Sequence, residues 1–243
     1  MNETCSDLGA LRKGELIGGL LYLPIYLFGA QYAALWIAGL AGLDLTEASA
    51  LGPVNLICNG LNALALSAIF LRFLRDQLKP LQERGWALFP DLLMGWLTNY
   101  GLSWLASLAA GVLLAVLGLE YYNLNQEAAE LATALTPAAA ILNACVLAPI
   151  VEELLFRGLI FRGIYRRSRF WAYAVSMLAF ALLHTLSAIL YQPVGLTLVN
   201  VIIYLPAGFV LAWIYERSET IWEAIFLHAG VNLVAMLLQN LKL

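Results

Sequence analysis

Few side chains in this sequence can do chemistry, and they stand where chemistry is costly to place. Glu152 and Glu153 are adjacent carboxylates inside an apolar run from about residue 137 to 161. Ionisable groups in a stretch long enough to span a bilayer mark a functional site by default. Arg157 follows Glu153 by four residues, and the only two histidines, His184 and His228, lie in two further apolar runs. Asn232 comes four residues after His228, so the two project from one helix face one turn apart. A carboxylate with two imidazoles in a water-poor setting can take a proton from water, and the chemistry this suggests is peptide hydrolysis within the membrane.

A helical reading of residues 137 to 163 divides the two acids. Glu153 and Arg157 form an i, i+4 pair in which the guanidinium holds the carboxylate charged. Glu152 points about 100° away, toward a cavity, and is the expected base. Pro149, one turn earlier, removes a backbone donor and is expected to kink the helix there. Depth permits convergence. At 1.5 Å per residue, Glu152 stands roughly 21 Å from Arg166 and His184 roughly 22 Å from Arg169, while His228 and Asn232 stand roughly 16 and 22 Å from Arg217. The bland alternatives are acids neutralised by arginines near the membrane edge and histidines satisfied by packing.

The elements that must carry these groups are membrane helices. The chain has 243 residues, of which 62% are apolar and 12% charged, and its mean hydropathy is +0.81. That composition belongs to an integral membrane protein, and nothing suggests nucleic-acid binding. Apolar runs place seven spans near 15–42, 51–74, 88–119, 137–163, 170–190, 194–215 and 221–240. The third is long enough to tilt strongly or break. Residues 123–135, with Glu127 and Glu130, suggest a short surface helix, which makes eight membrane elements if it dips inward. The expected class is an all-α, polytopic transmembrane bundle with a cytoplasmic N-terminus, its first span retained rather than cleaved. Residues 1–136 form a three-span N-terminal region and residues 137–243 a four-span catalytic core.

Charge and polar patterning support that topology. With the N-terminus inside, twelve of the thirteen basic residues fall on the cytoplasmic side and only Lys242 outside, although Glu3 and Asp7 precede Arg12 and Lys13. Tyr121, Tyr122 and Tyr191 would mark the outer interface, and Trp171, Tyr173, Trp213, Tyr215 and Trp222 the inner one. Asn55, Asn59 and Asn62 share one face of the second span, and Asn99, Ser103 and Ser107 one face of the third. Both faces should point inward, for interhelical hydrogen bonding or for the lining of a substrate path. Cys5, Cys58 and Cys145 have no disulfide or metal-type spacing, and Cys145 reads as a small core residue. Gly14-x-x-x-Gly18 is a weak association signal.

The motifs Glu152-Glu153-x-x-x-Arg157, Phe180-x-x-x-His184 and His228-x-x-x-Asn232, in this order on membrane spans, resemble those of the CAAX prenyl protease and bacteriocin-processing family, also called Abi proteins. The stretch from Thr220 to Ile225 resembles the segment before the last motif. It departs in carrying Glu223 where proline is common and Glu219 where glycine is common. The resemblance covers roughly residues 137 to 240. It implies an intramembrane endopeptidase acting on a membrane-anchored or prenylated peptide near the cytoplasmic face of a bacterial or archaeal plasma membrane. Glu152 and His184 would activate water, His228 and Asn232 would hold the oxyanion, and Glu153, Arg157 and Phe180 would support them. No cofactor is expected. Zinc on Glu152, His184 and His228 is the alternative, a three-ligand set with an open position for water, disfavoured because no His-Glu-x-x-His motif and no acidic partner for either histidine is evident. The competing functions are a non-catalytic membrane adaptor or bacteriocin-immunity protein, and a proton- or ion-coupled transporter.

Overall fold

Inside a bilayer no water satisfies the backbone, so a chain with runs this apolar must close its hydrogen bonds within helices. The computed structural model describes residues 8–186, 189 and 191–240, and among them there are helices and turns and no strand. Glu3, Cys5, Asp7 and Lys242 lie outside the described residues, as does part of the end of the fifth expected span. Eight principal helices follow in order: α1 Lys13–Leu40, α2 Leu51–Ile69, α3 Phe89–Leu117, α4 Leu124–Leu135, α5 Pro137–Tyr165, α6 Arg169–Thr185, α7 Val194–Ser218 and α8 Ile221–Asn240. Short helices Leu71–Asp76 and Leu78–Arg84 join α2 to α3.

Among the described residues six helical stretches are long and apolar enough to cross a membrane, and α6, with 17 residues, brings the apolar helices to seven. The long third stretch does not break, because α3 is a single α-helix of 29 residues. Residues 123–135 do form a separate helix. The Asn123 side chain caps α4 by accepting from the Gln126 N–H at 3.1 Å, which satisfies one of the free amides of its first turn. Pro137 then opens α5 at a position where its missing N–H costs nothing.

The structural feature of α5 is its irregular ladder. π-helical turns occupy Asn143–Leu147 and Leu154–Phe161, on either side of Pro149. Proline has no N–H to offer the carbonyls four and five residues back, Cys145 and Ala144, so the ladder is interrupted here and the register widens. The second π segment is the centre of the main core: Leu154, Leu155, Phe156, Leu159 and Phe161 are buried, and the segment packs against α1, α6, α7 and α8. Close approach matters at Gly208, where a Cβ would lie 3.0 Å from the Met177 backbone, so α7 and α6 can touch only with glycine there. At Gly18 a Cβ would meet Ile69 at 3.0 Å, which gives half of the Gly14-x-x-x-Gly18 pattern an intramolecular use.

Ion pairs gather the helix ends bearing most of the basic residues. Arg162, buried in α5, donates to Glu15 Oε2 at 3.1 Å and to the carbonyls of Leu8 and Ala10. Asp91 of α3 takes Arg84 at 2.5 Å and Arg217 of α7 at 2.7 Å. Glu216 accepts from Arg169, Tyr165 and Tyr173. Two expectations fail here. Tyr215 is no interfacial anchor, since it is fully buried beside Phe161. Ser107 faces outward and bonds back to Ser103 O at 2.8 Å, because its hydroxyl can be satisfied within its own helix. The stripe on α2 does face inward: Tyr22 donates to Asn62 and Asn59 to Asn143.

The turn into α8 explains one departure from the family pattern. Glu219 is the only described non-glycine residue with positive φ, at 58°, and it terminates α7. That left-handed position is the one glycine fills without steric cost. At the start of α8, Gln77 Oε1 accepts the Ile221 N–H at 2.8 Å, so a side chain from the junction of the two short helices caps the last span. Glu223 is fully buried in the first turn, the end of a helix where a carboxylate is favoured by the dipole.

Candidate active site

The α-helical stretch Ala148–Glu153, between the two π segments of α5, presents its two acids in different directions. Glu153 and Arg157 have no exposed surface, and Arg157 Nη1 donates to Glu153 Oε1 at 3.1 Å. The guanidinium would be a costly buried charge with that contact alone. Its Nη2 donates to Gly208 O at 2.9 Å, and its Cζ lies 5.1 Å from the Phe180 ring centroid. The Gly208 contact that lets α6 and α7 meet thus also places an acceptor for the cation.

Glu153 Oε1 has a second partner. His228 Nδ1 lies 2.8 Å from it, and since a carboxylate only accepts, Nδ1 carries a proton. This corrects the expectation that neither histidine has an acidic partner: α8 brings His228 onto the acid assigned to Arg157. Nothing in the linear spacing of residues 153 and 228 signals that contact. His184 is oriented otherwise. Its Nδ1 lies 2.9 Å from Phe180 O, a carbonyl that again can only accept, so the proton sits on Nδ1. In both rings Nε2 is the nitrogen left to face the site.

Glu152 is where they face. Its Oε2 lies 3.7 Å from His184 Nε2 and 3.8 Å from His228 Nε2, and among the described residues no group hydrogen-bonds to it. These separations exceed direct hydrogen bonds and suit an interposed water. Phe180 holds the imidazoles, its ring centroid 4.4 Å from that of His184 and 5.8 Å from that of His228. Beside them lies a cavity of about 210 Å³, lined by His184, His228, Asn232, Tyr204, Asn99 and Ser103 among others.

Asn232 reaches α5. Its Nδ2 donates to Ala144 O at 2.7 Å, one of the two carbonyls that Pro149 cannot serve. The proline therefore creates an acceptor that fixes the amide, leaving a second N–H and the carbonyl oxygen free to face the cavity. Cys145 turns away toward Met236, with 3.9 Å between sulfurs. Sequence reasoning missed Tyr204, whose ring stacks on His184 at 4.6 Å. Asn123 and Asn125 donate to its hydroxyl at 3.2 and 3.0 Å. A tyrosine in mid-span, roughly level with no interface, was the available signal.

A tetrahedral zinc ion with bonds near 2.1 Å needs donors about 3.4 Å apart. Among the described residues no group of three or more His, Cys, Asp or Glu is arranged to hold a metal ion, Glu152 and the two histidines included.

Residues 134–234 match the Rce1-like family model, type II CAAX prenyl endopeptidases, and the match contains every motif residue from Glu152 to Asn232. Among curated proteins, the chain is 29% identical over 100 residues to "Putative membrane peptidase YdiL" of Bacillus subtilis, covering 41% of this chain and 36% of that one. It is 34% identical over 100 residues to the UPF0177 protein YbdJ of Lactococcus lactis, covering 41% and 39%. A second L. lactis protein, YxdF, is 32% identical over 88 residues, covering 36% and 43%. The chain thus spans well under half the length of the curated relatives it matches. No solved structure gives a significant match. The match falls on the region that carries the three motifs, and the resemblance read from them agrees with it.

Proposed function

We propose that this is an intramembrane endopeptidase that hydrolyses a peptide bond in a membrane-anchored or lipidated peptide, with Glu152 as the base. The observation that carries the reading is the meeting of Glu152 Oε2 with the Nε2 atoms of His184 and His228, at 3.7 and 3.8 Å, beside a cavity. A water between them would be polarised by all three groups. Glu152 takes its proton as the oxygen attacks the substrate carbonyl. His184 Nε2, unprotonated while Nδ1 serves Phe180 O, orients that water and shares the proton. The free N–H of Asn232 donates to the oxyanion that forms. His228 adds a second donor from Nε2 when both its ring nitrogens carry protons. The proton held by Glu152 then passes to the leaving amine, which restores the carboxylate.

Exchange of Glu152 for glutamine keeps the shape and removes the base. The expected outcome of Glu152→Gln is a loss of peptide cleavage by about 10² to 10⁴-fold, with unchanged expression and unfolding temperature, measured on purified protein with a lipidated reporter peptide. A Glu152→Gln protein that cleaves at the wild-type rate would falsify the assignment. The reading needs no metal: cleavage should survive exhaustive chelation, and activity regained only on adding zinc overturns it.

A further inference from the structure

We propose that the trough between α1 and α6 is a binding site for an anionic phospholipid, which lays an acyl chain along it and rests its phosphate on Arg166 and Arg167. Two cavities of about 540 and 240 Å³ make up this trough, and they share Leu23 and Ile160. The larger lies under the turn from α5 to α6, where Arg166 and Arg167 line it together with Leu16 and Leu20 of α1 and Val175 of α6. The smaller continues along α5 to Leu155 and Phe156, and its lining is apolar apart from Tyr26. From Tyr165, just before the two arginines, to Leu155 the helix rises about 15 Å. Leu16, Leu20, Val175, Leu182 and Leu186 are exposed along it, so the trough opens sideways, toward where lipid chains lie.

Charge selects the headgroup. Arg166 and Arg167 are exposed, and among the described residues neither side chain has a hydrogen bond or ion pair. The neighbouring cations are engaged: Arg162 with Glu15 and the carbonyls of Leu8 and Ala10, Arg169 with Glu216, and Arg12 with Asp76. The carboxylates tied to these helix ends are thus matched by other arginines, and two guanidinium groups are left at the mouth of an apolar slot. A phosphodiester with an attached chain complements both parts. A zwitterionic headgroup sets its own cation against the arginines. The site uses no residue of the proposed hydrolytic centre, so it stands or falls apart from that reading.

The test is lipid retention by the full chain. The protein is exchanged into equal mole fractions of phosphatidylglycerol and phosphatidylcholine with identical chains, and bound lipid is counted by native mass spectrometry. Retention of phosphatidylglycerol over phosphatidylcholine by about tenfold or more is expected. The preference should fall to near parity in Arg166→Gln/Arg167→Gln. It should persist in Arg72→Gln/Arg75→Gln, which removes the same charge from exposed arginines outside the trough. Val175→Trp, which fills the slot from an exposed face, should lower total retained lipid. Equal retention of the two lipids by the wild type, or an equal loss in the Arg72/Arg75 variant, overturns the site in favour of diffuse surface charge. Displacement of phosphatidylglycerol by an equimolar farnesylated peptide overturns the occupant and assigns the trough to a peptide substrate. The arginine pair is exposed and leaves the core intact, so its result stands even if Val175→Trp fails to fold.

Discussion

At the scale of single residues, the centre depends on one carboxylate that is not the proposed base. Glu153 Oε1 accepts from Arg157 at 3.1 Å and from His228 Nδ1 at 2.8 Å, so a structural ion pair and an oriented imidazole share one oxygen. Removing the cation leaves a buried, uncompensated charge, which typically costs about 3 to 5 kcal/mol. Arg157→Leu should therefore lower stability by that amount in denaturant titrations of the solubilised protein, and Glu153→Gln added to it should restore part of the loss. A leucine variant as stable as the wild type would show that the pair contributes no net stability. The i, i+4 spacing made the Glu153–Arg157 contact legible in advance. The Glu153–His228 contact was not, because its partners lie 75 positions apart.

At the scale of elements, α5 does the positioning. Proline at 149 leaves Ala144 O without a ladder donor, and Asn232 of α8 fills it at 2.7 Å. Pro149→Ala restores an N–H that competes for this carbonyl. The expected outcome is a helix at least as stable, judged by unfolding temperature, with cleavage slowed because the amide is no longer fixed. A variant that cleaves at the wild-type rate would separate the proline from the site. The sequence supports an interruption at Pro149 but not its form, since a kink and a π register both follow from a missing donor. Only the packing of residues 154–161 against four other helices selects the wider turn.

At the scale of the whole molecule, the helices of the N-terminal region are tied to those carrying the site. Arg162 of α5 holds Glu15 of α1 at 3.1 Å, both nearly fully buried, so loss of Glu15 strands the buried guanidinium. Glu15→Gln should lower stability by about 3 kcal/mol, and because α1 forms one wall of the trough, limited proteolysis should find the α1 end more accessible. Unchanged proteolysis would mean that apolar packing alone holds α1. What the sequence determined by itself was the class and the count: apolar runs of bilayer length admit only helices, and the three motifs on them identify the family resemblance. It also paired residues one helical turn apart, because helix geometry fixes those neighbours locally. The tertiary structure alone decided that His228 meets Glu153, that Tyr204 stacks on His184, that Tyr215 is core, and that the arginines at 166 and 167 stand free over an apolar slot. Those contacts join residues on different helices, and their distances depend on rotation and depth, which no local periodicity specifies.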